Sequence, residues 1–136
     1  MSYYNLFLDD ARQPHQVGWV DLPQVTWTIV KNYNEFVKII QKNGLPNIIT
    51  FDHDLGEEHY AEYHWAHSEK NIASKGIFRY DHMKEKTGYD CAKWLVEYCM
   101  SKELDLPVYY VHTMNPIGAK NIISLFASYK KSQNID

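Results

Sequence analysis

The sequence predicts an α/β fold, a small parallel sheet of about four strands with flanking helices. Two observations carry the prediction. Four short runs rich in apolar, β-branched and aromatic residues alternate with stretches of helical periodicity, and such alternation builds parallel sheets. Three of the four runs stop abruptly on polar clusters, as strands do at the ligand-binding rim of an open parallel sheet.

Taken in order, Tyr3 to Leu8 (YYNLFL) is an apolar, aromatic run that ends at Asp9–Asp10 and reads as a buried strand. Residues 9 to 24 hold Pro14 and Pro23 and read as a loop with at most one short helical turn. Val25 to Val30 (VTWTIV) is β-branched and reads as the second strand. Tyr33 to Asn43 reads as a helix, with Asn32 or Asn34 as its cap and Gly44 as its stop. Asn47 to Phe51 is the third strand. Asp90 to Met100 (DCAKWLVEYCM) is the second helix, with Thr87–Gly88 just upstream. Pro107 to Val111 is the fourth strand. Pro116 opens the last helix, Ile117 to Tyr129. The first two strands are joined without a full helix.

The chain has 136 residues, which suits one domain over 1–136. Residues 57–86 break the alternation. They carry His59, His64, His67 and His82 among many charges, and read as an insertion after the third strand that covers a substrate. Hydrophobic residues make up 45%, enough for a packed core. The formal net charge is −3, which gives no footprint for duplex DNA. Cys91 and Cys99 lie about 12 Å apart along one helix, too far to pair, and read as reduced thiols in a cytoplasmic protein. No segment reads as a signal peptide or a membrane span. The bias toward Ile, Lys, Asn and Tyr points to an AT-rich genome, as in a phage or its bacterial host.

The polar ends of the strands are the functional signal. Asp9 and Asp10 follow the first strand. Asp52, His53 and Asp54 follow the third. His112 follows the fourth, with Asn115 close behind. Parallel neighbours bring these ends to one crevice. Four carboxylates there repel one another unless a cation joins them. Asp9, Asp10, Asp52 and Asp54 are therefore candidate metal ligands. Oxygen donors favour Mg²⁺, Ca²⁺ or Mn²⁺, and an added imidazole moves the balance toward Mn²⁺, Fe²⁺ or Zn²⁺; Mg²⁺ or Mn²⁺ is the expected cofactor. His53 and His112 are candidate general base and acid. Arg12 either pairs with a carboxylate or clamps a phosphate.

Each motif also has a plainer role. An Asp pair after a strand often caps a turn, and a lone histidine is more often structural than catalytic. Asp52-x-Asp54-x-Gly56 resembles half a calcium loop, but the later ligands do not follow at the required spacing. The insertion histidines read as exposed polar residues. The convergence of three strand ends favours the functional reading.

Four segments, LFLDDARQP (6–14), FDHDLG (51–56), TGYD (87–90) and VHTMNPIGAKNI (111–122), together resemble the cyclic-phosphate processing receiver-like family. The resemblance implies a receiver-like scaffold. Asp9 and Asp10 match the acidic pair of receivers and Asp52 their phosphoacceptor. His112 falls where receivers carry a hydroxyl residue, and no fifth strand with the receiver lysine is visible. These departures point to an enzyme on a receiver scaffold. The implied activity is a metal-dependent phosphoesterase acting on a nucleotide, a cyclic nucleotide or an RNA end with a cyclic phosphate. Asp52, His53 and His112 would be catalytic. Arg12, Asn115 and Thr87 would bind substrate. A non-catalytic binder of a nucleotide or phosphorylated messenger is the alternative, followed by a phospho-accepting receiver.

Overall fold

A computed structural model describes residues 3–55 and 86–133. Most of the expected insertion, 57–86, lies outside the described residues. Four strands form one sheet in the order β2-β1-β3-β4: β1 (Asn5–Leu8), β2 (Thr28–Val30), β3 (Ile48–Phe51) and β4 (Val108–Val111). All three pairings are parallel, with Leu8 opposite both Val30 and Phe51, and Phe51 opposite Val111. The strand ends are therefore level, and whatever follows them shares one rim. Among the described residues three α-helices flank the sheet: α1 (Tyr33–Asn43), α2 (Gly88–Lys102) and α3 (Pro116–Gln133). A 3-10 turn at Pro14–Gln16 is the short turn expected in the first loop.

The helix ends follow from local chemistry. Asn32 accepts the Glu35 N–H at the start of α1, and Gly44 ends it at a φ of 83°. Thr87 and Asp90 close a reciprocal capping box at α2, so the helix starts two residues earlier than the apolar pattern alone shows. The second strand is shorter than expected. Only Thr28–Val30 pair, while the Val25 N–H turns back to the Pro23 carbonyl.

Handedness decides where the layers lie. The crossovers β2→β3 and β3→β4 run the same way across the sheet, so right-handed connections put α1 and α2 on one face. There α2 packs against both α1 and α3. Leu6, Leu8, Ile49 and Phe51 meet them with Phe36, Leu95, Ile122 and Phe126 in the main core. The β1→β2 connection runs the other way and covers the opposite face. That cover holds no helix. Phe7 points to this side, with the Trp27 ring at its edge (centroids 6.2 Å apart) and the His112 ring stacked on it at 4.6 Å. A thin aromatic layer replaces the missing helix. Among the described residues no helix is long and apolar enough to cross a membrane, and both cysteines are free thiols.

Candidate functional site

The strand order reverses direction between β1 and β3, which makes their carboxyl ends the switch point of the sheet. Asp9 and Asp52 sit there. Oxygen atoms of Asp9, Asp10 and Asp52 all lie within 4.8 Å of one another. Asp9 is 1% exposed and Asp52 4%. The sheet holds both rigidly: the Asp9 N–H bonds the Val30 carbonyl and the Asp52 N–H the Leu8 carbonyl.

The two buried carboxylates have different surroundings. Asp9 Oδ1 accepts the N–H groups of Ala11 (2.9 Å) and Arg12 (2.8 Å). Its Oδ2 accepts from His112 Nε2 at 3.0 Å. Burial opposes its ionisation, but the bonds from His112, Arg12 and Ala11 prevail and hold its pKa below the ordinary value. Asp52 has fewer donors. Burial first and then the charge of Asp9 push its pKa up to about 6, against the pull of the His53 N–H, the His112 ring and the Thr113 hydroxyl. Arg12 faces the pair, 3.5 Å from Asp9 Oδ2 and 4.0 Å from Asp52 Oδ2.

Asp54 does not join this trio. Its Oδ1 lies 3.0 Å from His53 Nδ1, and its Oδ2 accepts the Asn115 amide at 3.4 Å. The acidic centre therefore gathers three of the four expected carboxylates, and Asp54 orients His53. The reason is local. After Phe51 the strand ends, and the His53 carbonyl accepts the Gly88 N–H of α2 at 2.7 Å. That turn breaks the strand's alternation and sends Asp54 elsewhere. Gly88 fits because a Cβ there would lie 1.8 Å from the Asp52 carbonyl oxygen.

His112 lies against Asp9 in the interior. It is fully buried, with Nδ1 2.8 Å from Thr50 Oγ1 and Nε2 on Asp9. An ionised Asp9 accepts only, so Nε2 carries the proton. Both ring nitrogens are engaged within the protein, and the ring has no exposed edge. It positions Asp9. Thr87 and Asn115 are likewise occupied: the Thr87 hydroxyl bonds Asp90, and Asn115 Oδ1 accepts the Gly118 N–H at 3.0 Å.

Three residues escaped the sequence reading. Thr113, directly after His112, supplies the hydroxyl that meets Asp52. Trp19 donates its indole N–H to the His112 carbonyl at 2.7 Å and lies under the Arg12 guanidinium, 5.1 Å from ring centre to Cζ. Nothing periodic marks it. Gly118 had a signal, a helix-weakening residue in the first turn of α3. The His53 ring packs on it: a Cβ there would lie 2.4 Å from His53 Cγ. Gly118→Ala gains at most about 1 kcal/mol of helix propensity. The overlap costs about 1–3 kcal/mol, so a net loss in urea unfolding is expected, with displaced His53 ring signals in NMR. A variant at least as stable as the parent, with unmoved signals, would contradict this packing.

The family model for the cyclic-phosphate processing receiver domain matches residues 4–128. No curated protein and no solved structure matches the chain.

Proposed function

We propose that this chain, which belongs to the cyclic-phosphate processing receiver domain family, is a metal-dependent phosphoesterase that opens a cyclic phosphate on a nucleotide or an RNA end. The convergence of Asp9, Asp10 and Asp52 at the switch point carries the reading. An all-carboxylate donor set suits a hard divalent cation, Mg²⁺ or Mn²⁺. Bound by these three residues, such a cation would neutralise the acid pair and polarise a phosphoryl group.

The chain's own groups account for the remaining chemistry. Arg12 donates to phosphate oxygens from its place above the acid pair. Asp54 accepts the Nδ1 proton of His53, which makes Nε2 the basic nitrogen of the neutral ring. His53 takes a proton from water as the water oxygen bonds phosphorus. The same proton passes to the ribose oxygen as its P–O bond breaks. The product is a phosphomonoester with one hydroxyl freed. His112 holds Asp9 throughout.

The test is turnover of 2′,3′-cyclic and 3′,5′-cyclic nucleotides and of cyclic-phosphate-ended RNA, with Mg²⁺, Mn²⁺ or EDTA. Conversion that needs the metal is the expected result. Recovery of intact ligand alongside a raised melting temperature would replace catalysis with sequestration. The Thr113 hydroxyl beside Asp52 favours one further reading, phosphoryl acceptance at Asp52 as in a receiver. Stable labelling of Asp52 by a small phosphodonor would establish that instead.

A further inference from the structure

The β1–β2 connection lines an open groove of about 700 Å³ that the acidic centre does not use. We propose that it is a nucleobase subsite, in which the base of the nucleotide or RNA end stacks on Trp19 while its phosphate lies at Asp9 and Asp52. This inference rests on the phosphate reading of the centre and names the rest of the ligand.

Three observations support it. First, one side chain touches both the lining of the groove and the acidic centre. Arg12 lies within 4.0 Å of both buried carboxylates, and its guanidinium also covers the Trp19 ring. A phosphate held by Arg12 therefore has its remaining substituents beside Trp19. Second, Trp19 is both exposed and fixed. The residue is 43% exposed, yet the bond to the His112 carbonyl and the Arg12 contact set the orientation of its ring. An indole already held in place loses little entropy when a base stacks on it. Third, the lining matches a base rather than a lipid or an apolar peptide. Trp19 and Trp27 offer flat faces, Val17 adds apolar surface, and His15, Asp21 and Gln24 bring hydrogen-bonding groups for a base edge. The volume lies in the range of small-ligand sites.

The experiment compares the binding of two probes by calorimetry. Adenosine 3′-monophosphate carries the base; methyl ribofuranoside 3-phosphate lacks it. Both are product-like, so binding is read without turnover. The wild type is expected to prefer the nucleotide by about tenfold or more. Trp19→Ala is expected to lose at least tenfold more affinity for the nucleotide than for the base-free probe. Trp19→Phe keeps a stacking face without the N–H and should retain most of the preference. Equal wild-type affinities, or a Trp19→Ala loss that is equal for both probes, would overturn the subsite. The two readings fail separately. Turnover of cyclic phosphates without base preference removes only the subsite. Base preference without turnover removes catalysis and leaves the subsite. Neither preference nor turnover removes both.

Discussion

Asp52→Asn is expected to abolish turnover and, in EDTA near pH 7, to make the protein more stable. The two effects share one cause. Burial and the Asp9 charge raise the pKa of Asp52 from an ordinary 3.8 to about 6. The folded state therefore binds this proton more tightly than the unfolded chain does. Below the unfolded pKa both states are protonated and Asp52 contributes nothing. As pH rises from about 4 to about 6 the unfolded chain ionises first, and stability falls. At pH 7 the wild type carries the full penalty, on the order of 1–3 kcal/mol. Asparagine carries none, and its carbonyl still accepts the His53 N–H, which Asp52 Oδ1 takes at 2.8 Å. Its amide can donate to Asp9. Urea unfolding across pH 4 to 8 checks the sign: the gap between variant and wild type should open over that window. Mg²⁺ should close it by relieving the wild-type repulsion. A variant less stable than the wild type at pH 7 in EDTA would contradict the electrostatics, and retained turnover would remove Asp52 from the proposed mechanism.

That a site residue destabilises its own fold explains part of what the sequence shows. Buried carboxylates persist where chemistry needs them, and a strand that ends on them stands out against its apolar body. The fold was legible for a related reason. Interior parallel strands bury both faces and read as near-continuous apolar runs, as in Leu6–Leu8 and Ile49–Phe51. Helix ends carried their own marks at Asn32, Gly44 and Thr87. The second strand was over-read because VTWTIV has strand composition throughout. Trp27 instead packs its ring against Phe7. The composition of the β1–β2 connection shows that it lacks a full helix; the direction of that crossover shows which face it covers.

The acidic trio was legible because level parallel strands convert sequence ends into neighbours. Asp54 was misplaced because that rule stops where the strand stops. One turn, set by the Gly88 bond to His53, separates the residue that joins the trio from the one that orients an imidazole. The burial of His112 was hidden in the sequence for a different reason. A polar residue at a strand end looks available in the sequence. Whether it is available depends on what packs on it: Phe7 stacks on the ring and the Trp19 indole bonds the His112 carbonyl, from 105 and 93 positions away along the chain. Such cover is a property of packing between distant segments, and no local pattern announces it.

His112→Ala is expected to cost about 3–5 kcal/mol of stability, the range for breaking a buried charged pair or emptying a large core side chain. The ring is fully buried and contributes in three ways. It stacks on Phe7, with ring planes 10° apart. It is the partner of the Thr50 hydroxyl. It donates to Asp9, whose ionisation burial otherwise opposes. Removing it leaves a cavity, an unpaired hydroxyl and a buried carboxylate short of a donor. The pH dependence separates these losses. Asp9 has a depressed pKa, so its contribution is present above the ordinary value of 3.8 and is lost as pH falls through the folded pKa. In the variant that contribution should shrink, so the stability gap to wild type is largest near neutrality and narrows in acid. Thr50→Val, which removes only the hydroxyl partner, should cost about 1–3 kcal/mol. The two losses should be non-additive in the double variant, because both act through the same ring. If His112 instead served as an exposed acid or base, His112→Ala would leave unfolding nearly unchanged while turnover fell. Additive losses in the double variant would likewise show that the ring does not link Thr50 to Asp9. The predicted pattern, a large stability loss that depends on pH through Asp9, belongs to a residue that holds the site together from below.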